Sequence, residues 1–266
     1  MKNLKYIVEE LEKFASPELA LFDHVGLLQG DLDQNVSKIG VSLDYSLQAI
    51  NNAIEENCQL LITHHGPTEI SYPLYGNNLA KVTRASEAGL AVYRCHLSLD
   101  FCKDGIIEEL CNLLKIPAKS VTTKYGIHTI HGGVRLAKDY PMTLDELVSR
   151  IKVLDHPYVR IAGNKSGKFK RIAITSGKGF VSEFFDQMKP DVYIAGEFEQ
   201  EATKYAEDLG IVLVELSHHA SESKPLEVVA KTLGSKLKVP VEYIEIPDTI
   251  KCIHLEQVAK KISYNG

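Results

Sequence analysis

Three short segments carry side chains of metal-binding type, and each directly follows an apolar run. Thr63-His64-His65-Gly66-Pro67 follows Leu60-Leu61-Ile62, Cys95-His96-Leu97-Ser98-Leu99-Asp100 follows Ala91-Val92-Tyr93, and Ser217-His218-His219-Ala220-Ser221-Glu222 follows Ile211–Leu216. If the runs are parallel strands, all three segments gather at C-terminal strand ends, where ligands collect in α/β sheets. Two adjacent imidazoles there point to different sides, so His64 and His65 can serve two cations. Asp100 offers a hard oxygen, and His96 is a ligand or the partner of one. His218 and Glu222 stand four apart, on one face once a helix has begun. A carboxylate can bridge two cations about 3.5–4 Å apart. Each piece has a plain structural alternative: a histidine closing a loop, Asp100 capping the next helix, Glu222 answering a helix dipole. Together they point to one centre. One His, Asp100 and Glu222 would hold one cation, and two His with the same Glu222 the other. Mixed nitrogen and oxygen donors suit Zn, Mn, Fe or Ni better than the all-oxygen sites of Ca or Mg.

Other features stand beside this set. Glu197 follows the apolar run 192–195 and reads as a general base, as the outer partner of a ligand, or as a solvated loop acid. Thr175-Ser176-Gly177-Lys178-Gly179 can cradle an anion with backbone N–H groups or serve as a strand-to-helix turn. It lacks the GxxxxGK[ST] spacing of a Walker A loop. Asp23-His24 lies in a loop able to line the site. The remaining histidines, 24, 128, 131, 156 and 254, are scattered and read as structural or exposed.

The elements that must position these residues follow from the hydrophobic pattern. Leu4, Ile7, Val8, Leu11 and Phe14 share a helical face over 2–14. Strands are expected at 38–43, 60–62, 91–93, 128–137, 158–162, 171–175, 192–195, 211–216 and 241–246. Helices are expected at 44–57, 77–88, 104–115, 143–153, 181–188, 200–209 and 223–234, with Thr143 and Glu146 forming a capping box. Alternating strands and helices predict an α/β fold with mixed, largely parallel sheets. The pattern restarts after 117–127, which divides the chain into a first lobe (1–124) carrying His64, His65 and Asp100 and a second (125–266) carrying His218 and Glu222. The boundary lacks the Pro/Gly density of a flexible linker, so the lobes are expected to pack together.

Composition fits a soluble globular protein: 266 residues, 44% hydrophobic and 24% charged. No apolar run is long enough to span a membrane, and the charged first segment is not a signal peptide. A net charge of −5 with mixed signs and no basic stripe speaks against nucleic-acid binding. Five cysteines, an odd count with no CxxC pair and no secretion signal, predict free thiols in a reducing cytoplasm.

The stretches DHVGLLQGD (23–31), LITHHGP (61–67), HLSLD (96–100), GEFEQEA (196–202) and SHHASE (217–222) occur in this order across nearly the whole chain. In that order they resemble the NIF-three-like family, whose members carry the name GTP cyclohydrolase 1 type 2 homolog. The resemblance implies two interlinked α/β lobes, a dinuclear centre and a ring-shaped homohexamer. It pairs His64, Asp100 and Glu222 on one metal, and His65, His218 and the same Glu222 on the other. Three positions depart from the family pattern. His24 stands where Asn is usual, Gly66 intervenes before Pro67, and Ser217 replaces a common Gly. None removes a ligand. The function expected is a metal-dependent hydrolase of a nucleotide or other small molecule, with His96, His219 or Glu197 moving protons. The alternative is a non-catalytic metal-binding hexameric scaffold, or a metal-handling or regulatory protein. The two part over turnover by metal-loaded protein.

Overall fold

The structure, a computed structural model, describes residues 1–20, 23–67, 74–163, 167–179 and 182–251. Cys252, His254 and the first residue of the expected helix 181–188 lie outside them.

The first half reads β1 (Lys2–Asn3), α1 (Leu4–Phe14), β2 (Gly26–Gln29), β3 (Asn35–Val36), β4 (Ile39–Ser42), α2 (Leu47–Glu55), β5 (Leu60–Thr63), α3 (Gly76–Glu87), β6 (Ala91–Arg94), α4 (His96–Phe101) and α5 (Ile106–Leu113). The second reads β7 (Lys119–Tyr125), β8 (His128–Ala137), α6 (Leu144–Ile151), β9 (Arg160–Ala162), β10 (Ile172–Ile174), α7 (Ser182–Met188), β11 (Val192–Ala195), α8 (Gln200–Leu209), β12 (Val212–Glu215), α9 (His218–Leu237) and β13 (Val241–Tyr243).

One sheet has the order β13-β4-β5-β6-β2, parallel except for the edge strand β2. Strands β1 and β3 pair in a separate two-stranded antiparallel sheet. A second, six-stranded sheet has the order β7-β8-β10-β11-β12-β9. Its centre, β10-β11-β12, is parallel, and its remaining pairs are antiparallel. An α/β fold with mixed, largely parallel sheets was expected; the fold is α/β with mixed sheets, the first largely parallel and the second parallel only at its centre. Strands β4, β5, β10, β11 and β12 are buried at every position, as unbroken apolar runs covered on both faces must be.

Alternation assigns each side chain to a face. Ile39, Val41, Leu60, Ile62 and Tyr93 pack with Leu4, Ile7 and Leu11 of α1 and with Leu226, Val229 and Leu233 of α9. Leu61 and Val92, on the opposite face, meet Ile50 and Ala53 of α2 and Ala85 of α3. In the second sheet Ile172, Ile174, Val192 and Ile194 face α5 and α6, while Ala173, Tyr193 and Ala195 face α7 and α8. Each such buried aliphatic side chain contributes about 1.5–3 kcal/mol.

Helix α9 ties the sheets together. It starts at the end of β12 in the second sheet and buries its apolar face in the core of the first. It runs from His218 rather than from about 223. Buried Pro225 has the look of a first-turn residue, but the helix has already begun, with the Ser217 hydroxyl accepting the Ala220 N–H at 3.1 Å. Two further elements differ from expectation. The segment 117–127, read as a boundary, contains β7, whose mostly exposed side chains give no apolar alternation. The loop at 23–27 runs into β2, an antiparallel edge strand. Cys58, Cys95, Cys102 and Cys111 are free and buried. Among the described residues no helix is long and apolar enough to cross a membrane.

Candidate metal centre

The C-terminal ends of β5 and β6 meet those of β10, β11 and β12, and the candidate ligands lie between them. Past the end of β5 the ladder continues: the N–H groups of His64 and His65 donate to the carbonyls of Ser42 and Leu43 at 3.1 and 2.8 Å. The chain bends there, and the two rings stand side by side, centroids 4.8 Å apart, each facing a different oxygen of Glu222. His64 is buried, and His65 remains partly open.

Asp100 does not cap the following helix. It sits in the last turn of α4, four residues after His96, and is buried. A carboxylate near a helix C-terminus faces the negative end of the dipole, so local helix stability does not explain it. Ser176 donates to its Oδ1 at 2.7 Å. His218 and Glu222 occupy the first turns of α9, on one face as their spacing requires.

The two oxygens of Glu222 look toward different groups. Oε1 stands 3.6 Å from His64 Nε2, which is itself 3.5 Å from Asp100 Oδ2. Oε2 stands 3.1 Å from His65 Nε2 and 3.3 Å from His218 Nε2, and those two nitrogens are 3.3 Å apart. Donors held tetrahedrally about 2.1 Å from one cation are about 3.4 Å from each other. Within each group the ligand atoms lie within 4.8 Å of one another, and a third group of this kind joins His64, His65 and His96. Among the described residues, neither ring nitrogen of buried His64 has a hydrogen-bond partner. Buried polar atoms are rarely left so. Two imidazole nitrogens facing each other at 3.3 Å repel if both rings are charged. Donor type, spacing and the orphaned atoms therefore fit divalent cations.

Charge follows the same arrangement. Burial pushes the His64 pKa down to about 4, which keeps the ring neutral. Burial also works against the His65 cation, but the hydrogen bonds and charges of Asp44 and Glu222 outweigh it and raise the pKa to about 10. Glu222 and Glu197 do the same for His218, to about 9. Burial and the neighbouring Glu222 charge drive Asp100 well above the usual carboxylate range. Burial opposes ionisation of Glu222, but the facing histidines hold it well below that range.

Three carboxylates orient three of the rings from outside. Asp44 pairs with His65 Nδ1 at 2.8 Å, Glu197 with His218 Nδ1 at 3.0 Å, and Asp23 with His96 Nδ1 at 2.8 Å. Carboxylates in this position fix the tautomer and leave the other nitrogen to face a metal or substrate. Glu197 thus lies behind His218. His96 is brought beside His64 and His65, with ring centroids at 5.1 and 5.7 Å. His219 is not brought in: its Nε2 donates to the Ile246 carbonyl at 3.0 Å. His24 is exposed. In the 175–179 turn the Gly177 N–H donates to Ser221 and the Gly179 N–H to Glu197, so neither is free for an anion. Gly177, at φ +54°, has Glu222 and His218 where a side chain would be.

Asp44, Arg94 and Ser176 were not among the sequence candidates for the centre, whereas Asp23 was expected in a loop able to line it. Asp44 carried a readable signal, since Asp44-Tyr45-Ser46 offers two helix caps and one suffices. Ser46 takes the role, accepting the Ala49 N–H at 3.0 Å. Arg94 reaches Asp23 at 3.2 Å by lying against Gly66, where any Cβ would collide with it. Two clefts reach the centre, one of about 500 Å³ past Asp100 and Glu222, the other of about 610 Å³ past Asp44 and His65.

Comparison with known proteins identifies the family and the fold. A family model described as Duf34/NIF3 (NGG1p interacting factor 3) matches residues 2–249. A Methanocaldococcus jannaschii protein named GTP cyclohydrolase 1 type 2 homolog is 30% identical over 244 residues, covering 89% of this chain and 97% of that protein. A Clostridium acetobutylicum protein of the same name is 28% identical, covering 89% and 90%. Among solved structures, reduced HcgD from Methanocaldococcus jannaschii superposes with a TM-score of 0.79 at 27% identity, covering 92% of this chain and 98% of that one.

Proposed function

The chain belongs to the Duf34/NIF3 family, and on that premise we propose that it binds two divalent metal ions and acts as a metal-dependent hydrolase on a nucleotide or other small molecule. The observation that carries the reading is the division of Glu222, one oxygen toward His64 and Asp100, the other toward His65 and His218. In this reading His64, Asp100 and Glu222 hold one ion, and His65, His218 and Glu222 the other. The ions would be Zn, Fe, Mn or Ni, given mixed imidazole and carboxylate donors. Divalent ions held there supply Lewis acidity and make water more acidic.

The chain's own residues supply the rest. Asp44 and Glu197 fix the rings of His65 and His218. Asp23 accepts from His96 Nδ1 and leaves the opposite nitrogen of that ring to exchange a proton with substrate. Ser176 holds Asp100 in place. The name shared by the relatives supports cyclic-amide hydrolysis as the first reaction to assay. The family resemblance further supports a ring-shaped homohexamer, each chain carrying its own centre.

The test is turnover of a panel of nucleotides, phosphoesters and cyclic amides by metal-loaded protein. Hydrolysis that is lost in His65→Ala and Glu222→Ala, with the oligomer intact, supports the enzyme. Full metal loading with no turnover across the panel would assign the centre to a metal-handling or scaffold role instead.

A further inference from the structure

Asp100 lies in α4, a helix of 6 residues, too short to hold its shape unaided. The last carbonyls of a helix lack partners within it, and they form the negative end of its dipole, where a carboxylate such as Asp100 is disfavoured. In α4 these carbonyls are met from the other sheet. Arg135 of β8 is buried, and its Nη2 donates to the carbonyls of Phe101 and Cys102 at 3.5 and 3.1 Å. Its Nη1 donates to the carbonyl of Gly132 in its own strand. The part-exposed carboxylate of Glu108 stands 3.6 Å from it. Burying a guanidinium is costly, and an aliphatic side chain would fill the space without that cost. Packing therefore does not account for an arginine at this position.

Strand β8 is shaped for the contact. Its pairing with β7 shifts register between Val134 and His131, so Gly132 and Gly133 form a bulge. Gly132 has φ +83°, and a Cβ on it would stand 2.4 Å from the Phe101 oxygen, so only glycine admits this approach. The Gly133 carbonyl accepts from the Thr175 hydroxyl at 2.8 Å, and the next residue, Ser176, donates to Asp100 Oδ1 at 2.7 Å. The neighbouring strands β8 and β10 thus lead to α4 at two points, the Asp100 carboxylate and the carbonyls directly after it.

From this we propose that Arg135 is a positioning residue of the centre: by holding the C-terminal carbonyls of α4 it sets Asp100 against His64 and Glu222. This rests on the two-ion reading given above and adds the residue that fixes one ligand of the ion among His64, Asp100 and Glu222. The ion among His65, His218 and Glu222 takes no ligand from α4, so it does not depend on Arg135.

Competition of cobalt-loaded protein against a chromophoric chelator, fitted to two sites, tests the assignment. Arg135→Met keeps most of the stem and removes every donor. It is expected to weaken the Asp100 ion about tenfold, as loss of an outer partner does, and to leave the other ion at wild-type affinity. Arg135→Lys keeps the charge and one donor nitrogen, and is expected to give a smaller loss at the same site alone. A residue that merely supported the fold would weaken both ions together. Equal weakening of the two, or an Asp100 ion of unchanged affinity, would overturn the proposal; if Arg135→Met does not fold, Arg135→Lys decides by the same outcomes. Absence of metal from the wild type is failure of the centre, seen before any variant is compared. In that event hydrogen exchange on metal-free protein decides the hold on α4. The Cys102 amide donates to the Ser98 carbonyl at 3.2 Å; its faster exchange in Arg135→Lys supports the hold, and unchanged exchange overturns it.

Discussion

Asp44→Asn is the sharpest probe of how the centre is built. Asp44 touches neither ion in the proposed arrangement; its Oδ1 accepts from His65 Nδ1 at 2.8 Å. An asparagine carbonyl keeps that hydrogen bond and the ring orientation but removes the charge that makes the imidazole a stronger donor. Outer carboxylates of this kind are worth about 10–100-fold in metal affinity. The Asp44 side chain is 43% exposed, so water screens part of its charge, and the loss belongs at the low end, about tenfold or 1.4 kcal/mol. Asp44→Ala loses the orienting bond as well and falls toward 100-fold. The loss is confined to the ion shared by His65, His218 and Glu222. The His64–Asp100 ion has no contact with Asp44 and keeps its affinity. Competition against a chromophoric chelator, fitted to two sites, reads both numbers. Equal weakening of the two sites, or no weakening of either, would refute the assignment of His65 and His64 to different ions.

Ser217 has φ +78° and ψ 144°, a region populated almost only by glycine and costing about 1–3 kcal/mol for other residues. Replacing a cap by Gly loses only a few tenths of that, and the freer unfolded chain takes back about 0.5–1 kcal/mol. Ser217→Gly is therefore expected to stabilise the metal-free protein by about 1 kcal/mol, while Ser217→Ala, which keeps the strain and loses the cap, destabilises it by about the same. The reverse order in denaturant melts would contradict the strained cap. In metal-free protein the raised pKa values of His65 and His218 mean that their cations stabilise the fold fully below the ordinary value of 6.5. That contribution is lost as pH rises through about 9 and 10. Loading needs the neutral rings, so metal affinity should rise over the same window, as chelator competition at pH 6 and pH 9 will show. A flat profile would mean that these rings are not ligands. Light scattering should give a mass six times the 29.6 kDa chain; a monomer would remove the proposed ring.

The candidate centre was legible because the residues that could hold a metal occur in runs at strand ends, where parallel topology dictates what meets. His64 and His65 needed only their place after a strand, and His218 with Glu222 only a period of 3.6, to be placed. Asp100 was harder, since a carboxylate before a helix looks like a cap until α4 is seen to start at His96. The outer layer was largely hidden. Asp23 meets His96 across more than seventy positions, and nothing local in Asp23-His24 says which side chain turns inward. His219, beside His218, looked equally reactive, yet one helical step turns it to the Ile246 carbonyl. In the fold, the buried parallel strands were plain from their unbroken apolar runs. Strand β7 was not, because its residues face solvent and leave no periodic signal. Helix α9 begins at His218, earlier than the expected 223, because its first turn carries His218, Ser221 and Glu222 rather than a run of apolar residues.

The most direct test of the central claim is anomalous diffraction from crystals of metal-loaded protein, with metal content measured on the same sample. Two peaks per chain about 3.5–4 Å apart are expected, one among His64, Asp100 and Glu222 Oε1, the other among His65, His218 and Glu222 Oε2. No metal after reconstitution, or ions bound away from Glu222, would contradict it.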